Sequence, residues 1–161
     1  MREPWRGFGR GMLHWTDCST QAPETIVLAG PDGRVVRVNR EFTRVFGYTS
    51  QEARSRLLGE LIVPGEFQDE SRRNLELVSE GRRVDTEAIR QRKDGSRLHA
   101  RLVSVPASEF GRQTPTYLMY QDITERKTAE TALQVLSTRL MNAQESERAH
   151  LARELHDEIG C

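Results

Sequence analysis

The sequence predicts an α+β fold: a five-stranded antiparallel sheet with short helices on one face, continued by one long C-terminal helix. Three observations predict it. A Pro31-Asp32-Gly33 turn separates two β-branched runs, Asp94-Gly95 separates two longer strand-like runs, and Glu125 to Ile159 contains neither glycine nor proline. Strand signals therefore bracket a group of helical ones, the order expected when helices gather on one face of an antiparallel sheet.

The first two strands are Ile26-Val27-Leu28-Ala29 and Val35-Val36-Arg37-Val38. Between them Pro presets φ and Gly accepts a positive φ, so the chain turns back on itself. Asn39 is placed to cap a short helix whose Phe42, Val45 and Phe46 share one face at i, i+3, i+4, with Gly47 as its stop. Thr49-Ser50-Gln51-Glu52 reads as a capping box, and short helices continue to about Ile62. After Pro64, Glu66 to Glu80 forms a helix with Phe67, Leu75, Leu77 and Val78 as apolar positions, stopped by Gly81.

The third and fourth strands turn at Lys93-Asp94-Gly95-Ser96, where Asp-Gly is a strong hairpin signal. The fifth strand is Tyr117 to Ile123. Alternation along the fourth strand puts His99, Arg101 and Val103 on one face. Arg90, Arg92, Arg97 and Arg101 are expected on a solvated sheet face balanced by Asp85, Glu87 and Asp94, the other reading being a site for an acidic ligand or partner.

Composition excludes several classes. With 161 residues the chain has room for one core, and its 24 Lys and Arg cancel its 24 Asp and Glu. No charge imbalance points to nucleic acid. The two cysteines, Cys18 and Cys161, form neither a disulfide framework nor a CxxC site, which suits a reducing cytoplasm. Apolar runs are far shorter than the roughly 20 residues of a membrane span, and residues 1–22 lack the apolar core of a signal peptide. That leader, with Trp5, Phe8 and Trp15 among Gly7, Gly9 and Gly11, is expected to be a flexible arm.

The layout and its local motifs resemble the PAS family over roughly residues 23–127. The resemblance is carried by Asp32-Gly33 with Val38-Asn39, by Phe46-Gly47-Tyr48-Thr49 with Glu52, by Arg92-Lys93-Asp94-Gly95-Ser96, and by Asp122-Ile123-Thr124-Glu125-Arg126-Lys127. It implies a PAS domain at 23–124 with an unidentified small-molecule ligand. Haem-binding members take an axial His from the helix before the third strand, and Glu66 to Glu80 has none. The flavin class needs a cysteine inside the domain, and neither Cys18 nor Cys161 lies there. Both cofactors are therefore disfavoured and none is assigned.

Glu125 to Ile159 as one helix would be about 50 Å long at ~1.5 Å per residue. Ala129, Leu133, Leu136, Leu140 and Ala143 alternate steps of four and three, the spacing of a coiled-coil seam, so 125–146 is expected to be a signalling coiled coil and the chain a homodimer. The pattern shifts after Ala143, as in a stutter. Residues 147–160, from Glu147-Arg148 through Leu155-His156-Asp157 to Gly160, resemble the phosphoacceptor helix of histidine kinases of the nitrate-sensor type. Every fixed position of E-R-x-x-L/I-A-R-E-L-H-D-x-x-G is met.

The resemblance implies that His156 accepts a phosphoryl group, that Asp157 is the base or orienter of its ring, and that Arg148 and Arg153 are charge partners. A neutral imidazole is a competent nucleophile, and a neighbouring carboxylate can take its proton. His150 lies six residues from His156, on a different helical face. No Gly-rich nucleotide cradle is present, so 147–161 reads as a truncated dimerisation and phosphoacceptor helix, without autokinase activity alone. Asp122 and Thr124 are the expected coupling residues between domain and helix, and a response regulator is the expected downstream partner. The alternative reading is a free-standing ligand-binding and dimerisation module.

Overall fold

A computed structural model of the chain describes residues 23–107 and 114–160. The arm expected at 1–22 lies outside them. Strands β1 (Thr25–Ala29) and β2 (Val35–Val38) are followed by helices α1 (Arg40–Phe46), α2 (Ser50–Ala53), α3 (Leu58–Ile62) and, after a 3₁₀ turn at Gly65–Phe67, α4 (Gln68–Ser79). Strands β3 (Val84–Gln91), β4 (Arg97–Pro106) and β5 (Thr116–Asp122) complete the sheet, and α5 runs from Thr124 to Ile159. The chain divides into two units after Ile123.

The sheet order is β2-β1-β5-β4-β3, with every neighbouring pair antiparallel. Chain order and sheet order part company after β2, because β3 takes the far edge while β5 returns to pair with β1. The helices fill the long connection between the two edges and lie on one face. Their apolar side chains, Phe42, Phe46, Leu58, Leu61 and Ile62, join Val27, Leu98, Ala100, Leu102 and Tyr120 of the sheet in one buried cluster. Phe46 stacks 5.1 Å from Phe42 and meets Tyr120 edge-on at 5.6 Å. Ile26, Leu28, Val103, Tyr117 and Met119 form a second buried cluster, being the opposite parity of the same strands.

The local signals in the sequence form as their chemistry requires. Asn39 Oδ1 accepts from Phe42 N at 3.1 Å to cap α1 and from Ile26 N at 3.0 Å in β1, while Asn39 Nδ2 donates to Glu24 O at 2.8 Å. One side chain thus pins the first helix to the sheet. Gly47 ends α1 at φ 85°, a conformation a side chain resists. Thr49 and Glu52 close their capping box at 3.2 and 2.9 Å.

Three expectations are corrected. The helix expected from Glu66 begins at Gln68, because Phe67 leaves helical geometry at φ −108°, ψ 10°, and Gln68 uses its Nε2 to hold Gly59 O and Val63 O at 2.9 Å. The fifth strand covers Thr116–Asp122 instead of ending at Ile123. Arg90 is not on a solvated face, for it is wholly buried. Its parity in β3 is that of Val84 and Ala88, which also face inward, and Leu98 of β4 stands opposite it.

The other basic residues make surface pairs. Arg97 grips Glu66 at 2.6 and 3.0 Å, Arg101 grips Asp85 at 2.9 and 2.8 Å, and Lys93 meets Glu52 at 2.7 Å. Hydrogen bonds from Lys93, Arg97 and Arg101 hold the carboxyls of Glu52, Glu66 and Asp85 below their ordinary pKa values. A carboxyl depressed in the folded state binds fewer protons there than in the unfolded chain, so its stabilisation is present at neutral pH and is lost as pH falls through the folded pKa. Urea midpoints are expected to drop between about pH 5 and about pH 3. Asp85→Asn should make that drop shallower, measured against wild type by far-ultraviolet circular dichroism across the same range.

Candidate functional site

The sheet and the helical layer part around a cavity of about 340 Å³. Leu102, Ser104, Leu118 and Tyr120 form its floor, while Leu58, Val63, Asn74, Leu75 and Val78 come from the helical side. Asp32, Gly33, Glu60 and Arg72 also line it. Its size falls within the ~300–1,000 Å³ of small-molecule sites, and its lining has their usual form, an apolar wall with a few polar groups. The cavity exists because α4 is carried over the β3 and β4 edge by a chain segment that Gln68 fastens at the end of α3.

Beside this cavity lies the most unusual group in the domain. Arg90 Nη1 donates to Ile89 O at 2.8 Å, whereas its Nε and Nη2 make no well-formed hydrogen bond among the described residues, although the guanidinium lies within reach of the Tyr120 phenol. Glu70 Oε1, on α4, stands 3.5 Å from Nη2, an ion pair too long to be a hydrogen bond. Asn74, one turn further along α4, keeps its Nδ2 buried and equally unpartnered. Burial pushes the Tyr120 phenol above its ordinary pKa, and the adjacent Arg90 guanidinium opposes that rise. Sequence reasoning missed Asn74 and put Arg90 on a solvated face, with a site for an acidic ligand or partner as its other reading. The signal available was the inward parity of Val84, Ala88 and Arg90.

The residues singled out in the sequence fall on two elements. Asp122 ends β5 and receives Arg92 Nη2 at 3.2 Å. Arg92 also donates through Nε to Val45 O at 3.1 Å and through Nη1 to Ser96 Oγ at 3.2 Å, so one guanidinium joins α1, the β3–β4 turn and the end of the last strand. Ile123 N donates to His99 O at 2.8 Å, fixing the residue before α5. Thr124 opens α5, and its carbonyl accepts from Thr128 Oγ1 at 2.9 Å.

His156, Asp157, Arg148 and Arg153 are exposed on α5. Arg153 Nε reaches back one turn to Ala149 O at 3.3 Å, and His150 Nε2 stands 3.2 Å from Glu154 Oε1. His156 and Asp157 are consecutive, about 100° apart around the helix. No helix among the described residues is long and apolar enough to cross a membrane.

A five-stranded antiparallel sheet, a helical layer and a cavity between them, with polar groups turned inward, define a small sensory domain. Its family follows from the sequence: a model described as the PAS fold matches residues 19–128, so the chain belongs to the PAS family. Two-component system protein A of Emericella nidulans is 28% identical over 109 residues, which cover 67% of this chain and 16% of that protein's length. A domain of the sensory box sensor histidine kinase/response regulator of Geobacter sulfurreducens superposes with a TM-score of 0.57 at 17% identity, covering 67% of this chain and 90% of that one. The RpfR quorum-sensing receptor PAS domain of Cronobacter turicensis, in complex with BDSF, gives 0.55 at 21% identity over 65% and 98%. At these identities the two structures share a fold with this chain.

Arg92→Ala removes three bonds that meet at the domain's exit. It is expected to cost about 1–3 kcal/mol, by urea denaturation, and to speed amide hydrogen exchange at Ile123.

Proposed function

We propose that this chain is the sensory and phosphoacceptor portion of a two-component histidine kinase, in which a small molecule in the PAS cavity controls phosphorylation of His156. The observation that carries this reading is the complete motif from Glu147 to Gly160, all but its final glycine lying on a helix that runs unbroken for 36 residues from Thr124 to Ile159. The similarity to a two-component protein supports the same pathway, and the RpfR complex is the precedent for a small ligand in this fold.

The chemistry asked of the helix is limited. An imidazole nitrogen of His156 attacks the γ-phosphorus of ATP, the N–P bond forms as the bridging O–P bond breaks, and ADP leaves. Asp157 orients the ring and takes its proton. ATP and Mg²⁺ would be held by a separate nucleotide-binding domain, which also supplies charge stabilisation. Phosphohistidine would then pass its phosphoryl group to a response regulator. Arg148 and Arg153 serve as charge partners along the same helix.

Dimerisation belongs to this proposal. Leu133, Leu136 and Leu140 are 67%, 55% and 65% exposed, and with Ala129 and Ala143 they make an apolar stripe at coiled-coil spacing. A second copy of the same stripe covers it. Ligand occupancy would act through Asp122 and Thr124, at the end of the sheet and the start of the helix, by shifting the coiled coil and the access to His156.

Two measurements test the reading. With the chain fused to the ATP-binding domain of a kinase of the same phosphoacceptor type, label from γ-labelled ATP should appear on the fusion and vanish in His156→Gln; label that persists removes His156 from the role. Analytical ultracentrifugation of the chain should give a dimer, and Leu136→Lys should shift it to monomer without changing the domain's far-ultraviolet spectrum beyond the loss of helix.

A further inference from the structure

The proposed function leaves the ligand's chemistry open, and the orphaned donors beside the cavity narrow it. Resting on the sensory reading, we propose that the cavity takes a carboxylic acid with a compact apolar body, its carboxylate received by Arg90 and Asn74. Four buried polar atoms without a hydrogen bond belong to this end: three donors, Arg90 Nε, Arg90 Nη2 and Asn74 Nδ2, and one acceptor, Glu70 Oε1, which faces Nη2 at 3.5 Å without closing the bond. Nature rarely leaves such donors without an acceptor, because each loses its water and gains nothing in return.

The pattern within Arg90 is more specific than a positive charge. Nε and Nη2 form one edge of the guanidinium, and two parallel N–H groups on that edge match the two oxygens of a carboxylate. The third nitrogen, Nη1, is already committed to Ile89 O. The residue nearest the open edge is Glu70, itself a carboxylate, at 3.5 Å and with a side chain one-third exposed. Glu70 holds the place loosely and can swing towards solvent from α4 as a ligand acid replaces it.

Access follows from the neighbours. Arg90 does not itself line the cavity, but it lies against Tyr120 and against Glu70, one turn before Asn74 on α4, and Tyr120 and Asn74 do line it, so an acid head that meets Asn74 Nδ2 is directed towards the guanidinium as Glu70 withdraws. Beyond them Leu75, Val78, Leu102 and Leu118 offer an apolar enclosure. A cavity of about 340 Å³ is in the range of small-molecule sites, and octanoate, a small acid with an apolar tail, serves as the probe.

The test measures binding of octanoate and of octanol to the whole chain by calorimetry and thermal shift. Octanoate is expected to bind about tenfold or more tightly than octanol, the margin of a charge-assisted pair. Arg90→Gln should abolish that margin, and Asn74→Leu should reduce it if Arg90→Gln does not fold. Glu70→Gln, which removes the competing carboxylate, should strengthen octanoate binding and leave octanol unchanged. Equal affinity for acid and alcohol, no binding of either, or a margin that survives Arg90→Gln overturns the acid assignment. Octanol binding alone would overturn it while supporting a sensory cavity, and the His156 labelling assay judges the phosphoacceptor separately.

Discussion

Asn39 sets the relation between the two layers on which everything else in the domain depends. Its carboxamide oxygen takes one N–H from β1 and one from the first turn of α1, and its amide returns a bond to the chain entering β1. With Asn39 only 5% exposed, water cannot replace those bonds, and each N–H left unpaired would cost about 1–3 kcal/mol. Holding α1 there places Phe42 and Phe46 on the sheet, and Phe46 in turn braces Tyr120. Helices α2 to α4 can then extend across the remaining sheet from a fixed origin.

That extension is where close packing gives way to open space. Close to α1 the layers meet through aromatic rings, whereas under α4 they separate and enclose the cavity. Arg90 lies at this transition, a charge in a strand position that local preference would fill with valine or isoleucine. A sequence that obeys its structural rules almost everywhere and breaks one beside a cavity is most informative at that break. Removing Glu70 from its neighbourhood would alter that balance, since a buried guanidinium with no anion nearby is costly.

Features decided within a few residues of chain were legible in the sequence: both hairpin turns, the Asn39 cap, the capping box at Thr49 and Glu52, and the uninterrupted helix to Ile159. Features decided by distant partners were not. Arg90 looked like part of a basic surface because four arginines cluster in 90–101, and its inward direction depends on β3 pairing with β4 under the cover of α4. Arg92 was read as part of the same surface, yet its three bonds go to Val45, Ser96 and Asp122, which are remote or across a turn. The cavity has no sequence signature, for it is a space between elements. His156 is the reverse case, conspicuous as a motif while its surroundings on α5 show only an exposed helix.

The sheet order also governs how the domain comes into being. β1 sits between β2 and β5, with Thr25 opposite Tyr120, so its second neighbour is the last strand of the sheet to be synthesised. During translation the first hairpin and the helices emerge with the middle of their sheet missing, and the core cannot close until residues near 120 have left the ribosome. Pairings this far apart in the chain fold slowly compared with local ones. Completion of the sheet therefore coincides with the emergence of Thr124, which makes α5 the first segment to appear on a finished domain.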